Sequence, residues 1–200
     1  MATISAKNRK KIQSQIVRET AFKKEVQRIV KKEFSQIHKE FLATFDNHPV
    51  TLEIKSGPRA SNISRTLSGV GNLFTYLGFN EGSDPIKPLR ELLKTYEIKY
   101  HPQRQSIRVN IDVPSKEKVF AETPLPWATG RSWARGIERG ISGLGQYLVK
   151  SDKIRESKSG HAIQISKGKI RGGRFSNTQY MSALLNDYYK KIQKIENKTF

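Results

Sequence analysis

The chain has 200 residues, with 37 lysines and arginines against 18 acids, a formal charge of +19, and no cysteine. Disulfides and thiolate metal sites are therefore excluded, and a reducing compartment is expected. At 36% apolar residues the chain is long enough for a core but lean in core material, so some segments are expected to order only against a partner.

The pattern over residues 9–45 is helical. Ile12, Ile16, Val26, Ile29, Val30, Ile37 and Phe41 recur at spacings of three, four or seven, with a gap near Phe22, and no Gly or Pro intervenes. One long helix or two shorter ones would fit, preceded by a free arm at residues 1–8. Asp46-Asn47-His48-Pro49 ends the run. Val50, Leu52 and Ile54 then alternate with polar residues, which predicts a short strand. The glycine- and aromatic-rich stretch that follows has no clean period and reads as an ordered loop burying Phe74 and Phe79. Asp84 and Pro85 predict the start of a helix over 84–94, with Asp84 as its cap. Residues 96–101 and 105–113 alternate around Pro102-Gln103-Arg104 and predict a hairpin, with Ile107, Val109, Ile111 and Val113 on one face.

Ser132 is placed to cap a helix over 133–149, with Trp133, Ile137, Ile141, Leu144 and Leu148 on its apolar face. Gly136, Gly140, Gly143 and Gly145 lie inside it, each weakening an isolated helix by ~1 kcal/mol. Close approach of another backbone would compensate, so Gly136 and Gly140, with Trp127 and Trp133, are candidate interface-packing residues. Residues 150–174 carry eight cations, two acids and four glycines, a basic loop with a short strand at 162–165. A C-terminal helix is predicted from Thr178. The fold class expected is α+β: a long N-terminal helix, a small antiparallel sheet with packed helices, a basic loop and a C-terminal helix. The chain divides into an arm and helix at 1–45, a body at 46–149, and a basic loop and helix at 150–200.

Charge follows that division. Residues 1–45 hold 11 basic against 4 acidic residues, 46–127 hold 11 against 9, and 128–200 hold 15 against 5. Basic ends around a near-neutral middle suit nucleic acid phosphates or an acidic protein surface. Arg131, Arg135 and Arg139 fall four apart and would form one helical stripe beside Glu138. With Lys150, Lys167, Lys169, Arg171 and Arg174 they are candidate partner or phosphate contacts.

Catalytic motifs are weak. Gly69-Val70-Gly71 lacks both a third glycine and a Gly-Lys-Ser/Thr, so a tight turn is the better reading. Asp84 with Glu97 and Lys99 imitates a metal-dependent nuclease, but Glu53-Ile54-Lys55 repeats the Glu-x-Lys spacing by chance. His38, His48, His101 and His161 have no ligand-like spacing. No catalytic or metal residue, no cofactor and no small-molecule substrate is expected. No apolar run approaches the ~20 residues of a membrane span, and the N-terminus lacks the apolar stretch of a signal peptide, so a cytoplasmic origin is expected.

Leu125-Pro126-Trp127-Ala128-Thr129-Gly130-Arg131-Ser132-Trp133, the following Ile137-Glu138-Arg139-Gly140-Ile141-Ser142-Gly143-Leu144, and Gly71-Asn72-Leu73-Phe74-Thr75-Tyr76-Leu77-Gly78-Phe79 are similar to segments of virion structural proteins of large tailed bacteriophages. The Thr129-Gly130-Arg131-Ser132 step resembles the Thr-Gly-x-Leu step of tail-completion proteins of the neck. That resemblance covers about the middle 130 residues. It implies a long N-terminal helix, a small antiparallel sheet and a second packed helix. It also implies a ring between portal and tail, neighbouring virion proteins as partners, possible contact with packaged DNA, and no catalytic residues. The tail after Val149 is longer and more basic than that plan needs. A basic RNA-binding protein of ribosomal type is the alternative the charge distribution allows, and a nuclease the third.

Overall fold

The computed structural model describes residues 5–67, 71–126, 128–139, 147–150, 162–165 and 178–198. It is an α+β protein whose described residues form two compact units, each discontinuous in sequence. One takes residues from 1–41, 96–113 and 186–200, the other from 42–95 and 114–185. The hairpin, placed by sequence within a central body, belongs to the first unit.

The helical run of the first unit is split. Helix α1 spans Ala6–Ile16 and α2 spans Thr20–Asp46. The Ser5 hydroxyl accepts from the Asn8 amide and starts α1, so residues 6–8 are helical and not the free arm expected. Ile12 and Ile16 remain 45% and 43% exposed, whereas Val26, Val30, Phe34 and Phe41 of α2 are buried at helical spacing.

Strands β1 (Glu97–Pro102) and β2 (Ile107–Asp112) pair antiparallel in one register, from Glu97 opposite Asp112 to Pro102 opposite Ile107. The turn is closed by the Gln103 amide on the Ser106 carbonyl at 2.8 Å. Ile107, Val109 and Ile111 are buried and Arg108 and Asp112 exposed, as the alternation predicts. The last helix of the chain, Met181–Glu196, returns to this unit at its C-terminal end. There Glu196 accepts from the Ile111 amide at 2.7 Å, and Tyr188 stacks on Phe41 with ring centroids 4.1 Å apart.

In the second unit the segment expected as a strand is helix α3, Pro49–Lys55. His48 caps it, its Nδ1 accepting from the Val50 amide, and Pro49 supplies a helical φ at the first turn. Val50, Thr51, Glu53 and Ile54 are buried while Leu52 stays 37% exposed, a helical burial pattern. Three apolar residues at alternate positions could not separate the two periods; the burial of Thr51 and Glu53 beside Val50 and Ile54 does. A short helix α4 (Leu73–Tyr76) and helix α5 (Ile86–Leu93) follow. Phe74 and Phe79 are buried as expected, and Asp84 accepts from the Ile86 and Lys87 amides as the cap of α5.

Next come α6 (Lys116–Ala121), β3 (Pro124–Leu125), β4 (Ala128–Ser132) and α7 (Trp133–Glu138). Helix α7 ends after six residues instead of running to 149, and Tyr147–Lys150 forms strand β5, paired with β6 at Ala162–Ile165. Gly140 and residues 141–146 lie outside the described residues. The final helix, Met181–Glu196, is α8. An aromatic series forms the core: Phe45, Tyr180, Trp133, Phe79 and Phe74, each ring within 6.4 Å of the next.

Candidate anion-binding cleft

The β3–β4–α7 segment is held to α6 by a chain of hydroxyls. The Thr123 hydroxyl donates to the Phe120 carbonyl at 3.0 Å and lies 2.6 Å from the Ser132 oxygen. With the Thr123 proton committed, Ser132 must donate to Thr123, leaving its oxygen to accept from the Arg135 amide at 3.1 Å. Ser132 is therefore the cap of α7, as its position predicted. The Trp133 amide closes the junction on the Thr123 carbonyl at 2.7 Å. Just before it, Gly130 adopts φ +75°, where a side chain is disfavoured although the space beside it is open.

These elements enclose an open cleft of about 460 Å³ lined by Arg131, Arg135 and Arg139, by Glu117, Phe120 and Ala121, and by Gly130, Ser132 and Gly136. The arginines do not form the expected helical stripe: Arg131 is on β4, Arg135 inside α7 and Arg139 at its C-cap. The strand-to-helix turn nevertheless gathers all three around one depression. Arg135 lies 4.6 Å over the Phe120 ring. Arg139 has no carboxylate partner among the described residues.

Among the described residues Glu117 is the one acid lining the cleft. Its own backbone amide and the Ser115 hydroxyl hold its carboxyl below the usual range, assisted by the charges of Arg135 and Lys116. It sits in the first turn of α6, where a carboxylate is favoured. Glu138, expected beside the arginines, instead accepts from the Ser182 amide and hydroxyl in the first turn of α8, at 2.5 and 2.6 Å.

Comparison with known protein families, curated proteins and solved structures gives no match. The cleft's chemistry must therefore be argued from its own residues.

Of the other candidate contacts, Lys150 lies on β5 opposite Ala162. Lys167, Lys169, Arg171 and Arg174 lie outside the described residues, as does Trp127. Trp133 is 1% exposed between Phe79 and Tyr180, so it is a core residue and not an interface anchor. Gly136 is buried and faces the cleft. The nuclease triplet is not gathered: its Asp84 is engaged apart from Glu97 and Lys99. Asp84 caps α5, while Lys99 pairs with Asp112 at 2.7 Å and Glu97 at 3.1 Å. Among the described residues no group of three or more His, Asp or Glu gathers to hold a metal, and no helix is long and apolar enough to cross a membrane.

Sequence reasoning missed Glu53. Its carboxylate is fully buried and accepts from the Leu73 and Ser64 amides, both at 2.7 Å, and from the Asn62 amide group at 2.9 Å. Asn62 in turn accepts from the Leu67 amide, and Asn72 caps α4. The signal was a lone acid inside the apolar run Val50–Ile54, followed by two asparagines in a loop rich in backbone donors.

Proposed function

We propose that this chain is a structural virion subunit of a tailed phage, acting in the neck as a tail-completion or tail-terminator protein that joins head and tail through a ring, and that it is not an enzyme. The observation that carries the reading is the Thr129-Gly130-Arg131-Ser132 step. The residues that resemble the tail-completion step form a strand-to-helix turn, with Gly130 left-handed and Ser132 capping α7. The plan of the first unit is consistent with it: a long helix, an antiparallel hairpin and a second helix packed through Tyr188 and Glu196.

Electron microscopy and sedimentation of the purified protein test the proposal. Closed rings are expected, and a chain that stays monomeric at every concentration sinks it. A basic RNA-binding protein would instead sediment with ribosomal subunits. A nuclease would cleave plasmid with Mg²⁺ or Mn²⁺, and the cleavage would disappear in Asp84→Ala or Glu97→Ala.

A further inference from the structure

We infer that the cleft formed by α6, β4 and α7 binds the phosphodiester backbone of duplex nucleic acid without reading its sequence, and that Glu117 weakens that contact from within the cleft.

Three guanidiniums line the depression and all three residues are exposed. Arginine presents fixed pairs of N–H donors that match oxyanions, and no lysine is among the described lining residues. The occupant must therefore be anionic. What separates a nucleic acid backbone from an acidic protein segment is the absence of an apolar anchor. Peptide sites bury aromatic or aliphatic side chains in pockets. Here the sole aromatic among the described lining residues, Phe120, is 9% exposed and lies under Arg135. Among the described lining residues no ring face is open to an apolar side chain or to a base, which also argues against single-strand stacking. A phosphodiester backbone needs neither, since its affinity comes from charge neutralisation and release of counterions. The excess of 15 basic over 5 acidic residues at 128–200 lies in the same part of the sequence and adds long-range attraction.

Glu117 gives the proposal an opposed sign. Glu117 lines the same cleft as the three arginines and would lie beside an incoming phosphate, so the cleft is partly self-neutralised. Removing this charge should strengthen binding, whereas removing an arginine should weaken it. A merely structural role for either residue would not produce opposite signs.

The test is fluorescence anisotropy with a labelled duplex of ~20 base pairs at several salt concentrations between about 50 and 200 mM. Arg139→Gln should bind more weakly and lower the slope of log K against log salt by about 0.9, the loss of one phosphate contact. Glu117→Gln should bind several-fold more tightly, and scrambling the duplex sequence should change nothing. The Arg139 side chain has no carboxylate partner among the described residues and Glu117 is exposed, so circular dichroism is expected to show both variants folded. An unchanged slope in Arg139→Gln, or weaker binding in Glu117→Gln, overturns the inference. So does a poly-glutamate peptide that binds more tightly than the duplex at equal salt and loses that affinity in Arg139→Gln. The inference rests on the cleft and not on the virion reading: DNA binding without rings would leave it standing and remove the other.

Discussion

The two units place their carboxylates differently. In the first, acids meet cations on the surface: Glu25 pairs with Arg28 and Glu33 with Lys198, both at 2.6 Å, and Asp187 pairs with Lys191 at 3.2 Å. A groove of about 740 Å³ between α2 and α8 is thus cation-rich and yet largely compensated, over a floor of Ile29, Ile37 and Ile195. Glu196, on the Ile111 amide, is the exception. In the second unit Glu53, Asp84 and Glu138 all accept from backbone amides. They hold loops and helix starts, while Asp46 on Arg90 at 2.8 Å and Glu91 on Lys94 at 2.6 Å are the ion-paired exceptions of this unit, and among the described residues the cleft keeps Glu117 as its single lining acid. The smaller depression is therefore the better anion site. Which groups the acids satisfy decides this, more than how many cations are present.

The largest effect that could break the contrast is at Glu53. Replacing it with Ala strands the Leu73 and Ser64 amides and the Asn62 side chain, and should cost about 3 kcal/mol or more in urea unfolding. A loss below about 1 kcal/mol would show that the buried carboxylate is not the hub of the 62–73 loop.

Gly130→Ala should cost about 1–2 kcal/mol through backbone strain alone, because nothing lies within 4 Å of the added methyl. Stabilisation instead, as at sites where Ala fits, would mean that the left-handed turn is not held in solution.

A smaller effect concerns pH and occurs once in each unit. Burial lowers the pKa of His38, whose Nδ1 lies 2.7 Å from the Tyr188 hydroxyl, and of His48, which caps α3 and also bonds the Gln179 backbone. In the unfolded chain both return to the ordinary value of 6.5, so as pH falls below it the unfolded state takes up protons first. The stabilisation is complete above that value and declines below it until the folded pKa is reached. The urea midpoint should therefore drop between about pH 7.5 and 5.5, and the drop should flatten in the double variant His38→Gln, His48→Asn. A midpoint that does not move over this window contradicts the burial argument.

The smallest effect is expected at Glu33→Ala, which breaks the half-exposed pair with Lys198 and should change stability by about 0–1 kcal/mol. A loss as large as that at Glu53 would erase the distinction between the units.

Where local chemistry decided the outcome, it could be read along the chain. The hairpin was legible because alternation and a Pro-led turn agree. The Asp84 and Ser132 caps were legible because a side-chain oxygen next to its amides needs nothing distant. The burial of α2 followed from its 3.6-residue period, and the charge of +19 from counting. Other outcomes required the tertiary fold. Val50–Ile54 became a helix once its buried face and cap were in place, and the helix expected to reach 149 stopped at Glu138. The arginine cleft was visible as three residues four apart, but for the wrong reason. A strand-to-helix turn brings them together, and the withdrawal of Glu138 to Ser182, 44 residues away, leaves Glu117 as the cleft's one lining acid among the described residues. A carboxylate's partner is set by which donors the fold brings within about 3 Å, and one-dimensional spacing does not carry that distance.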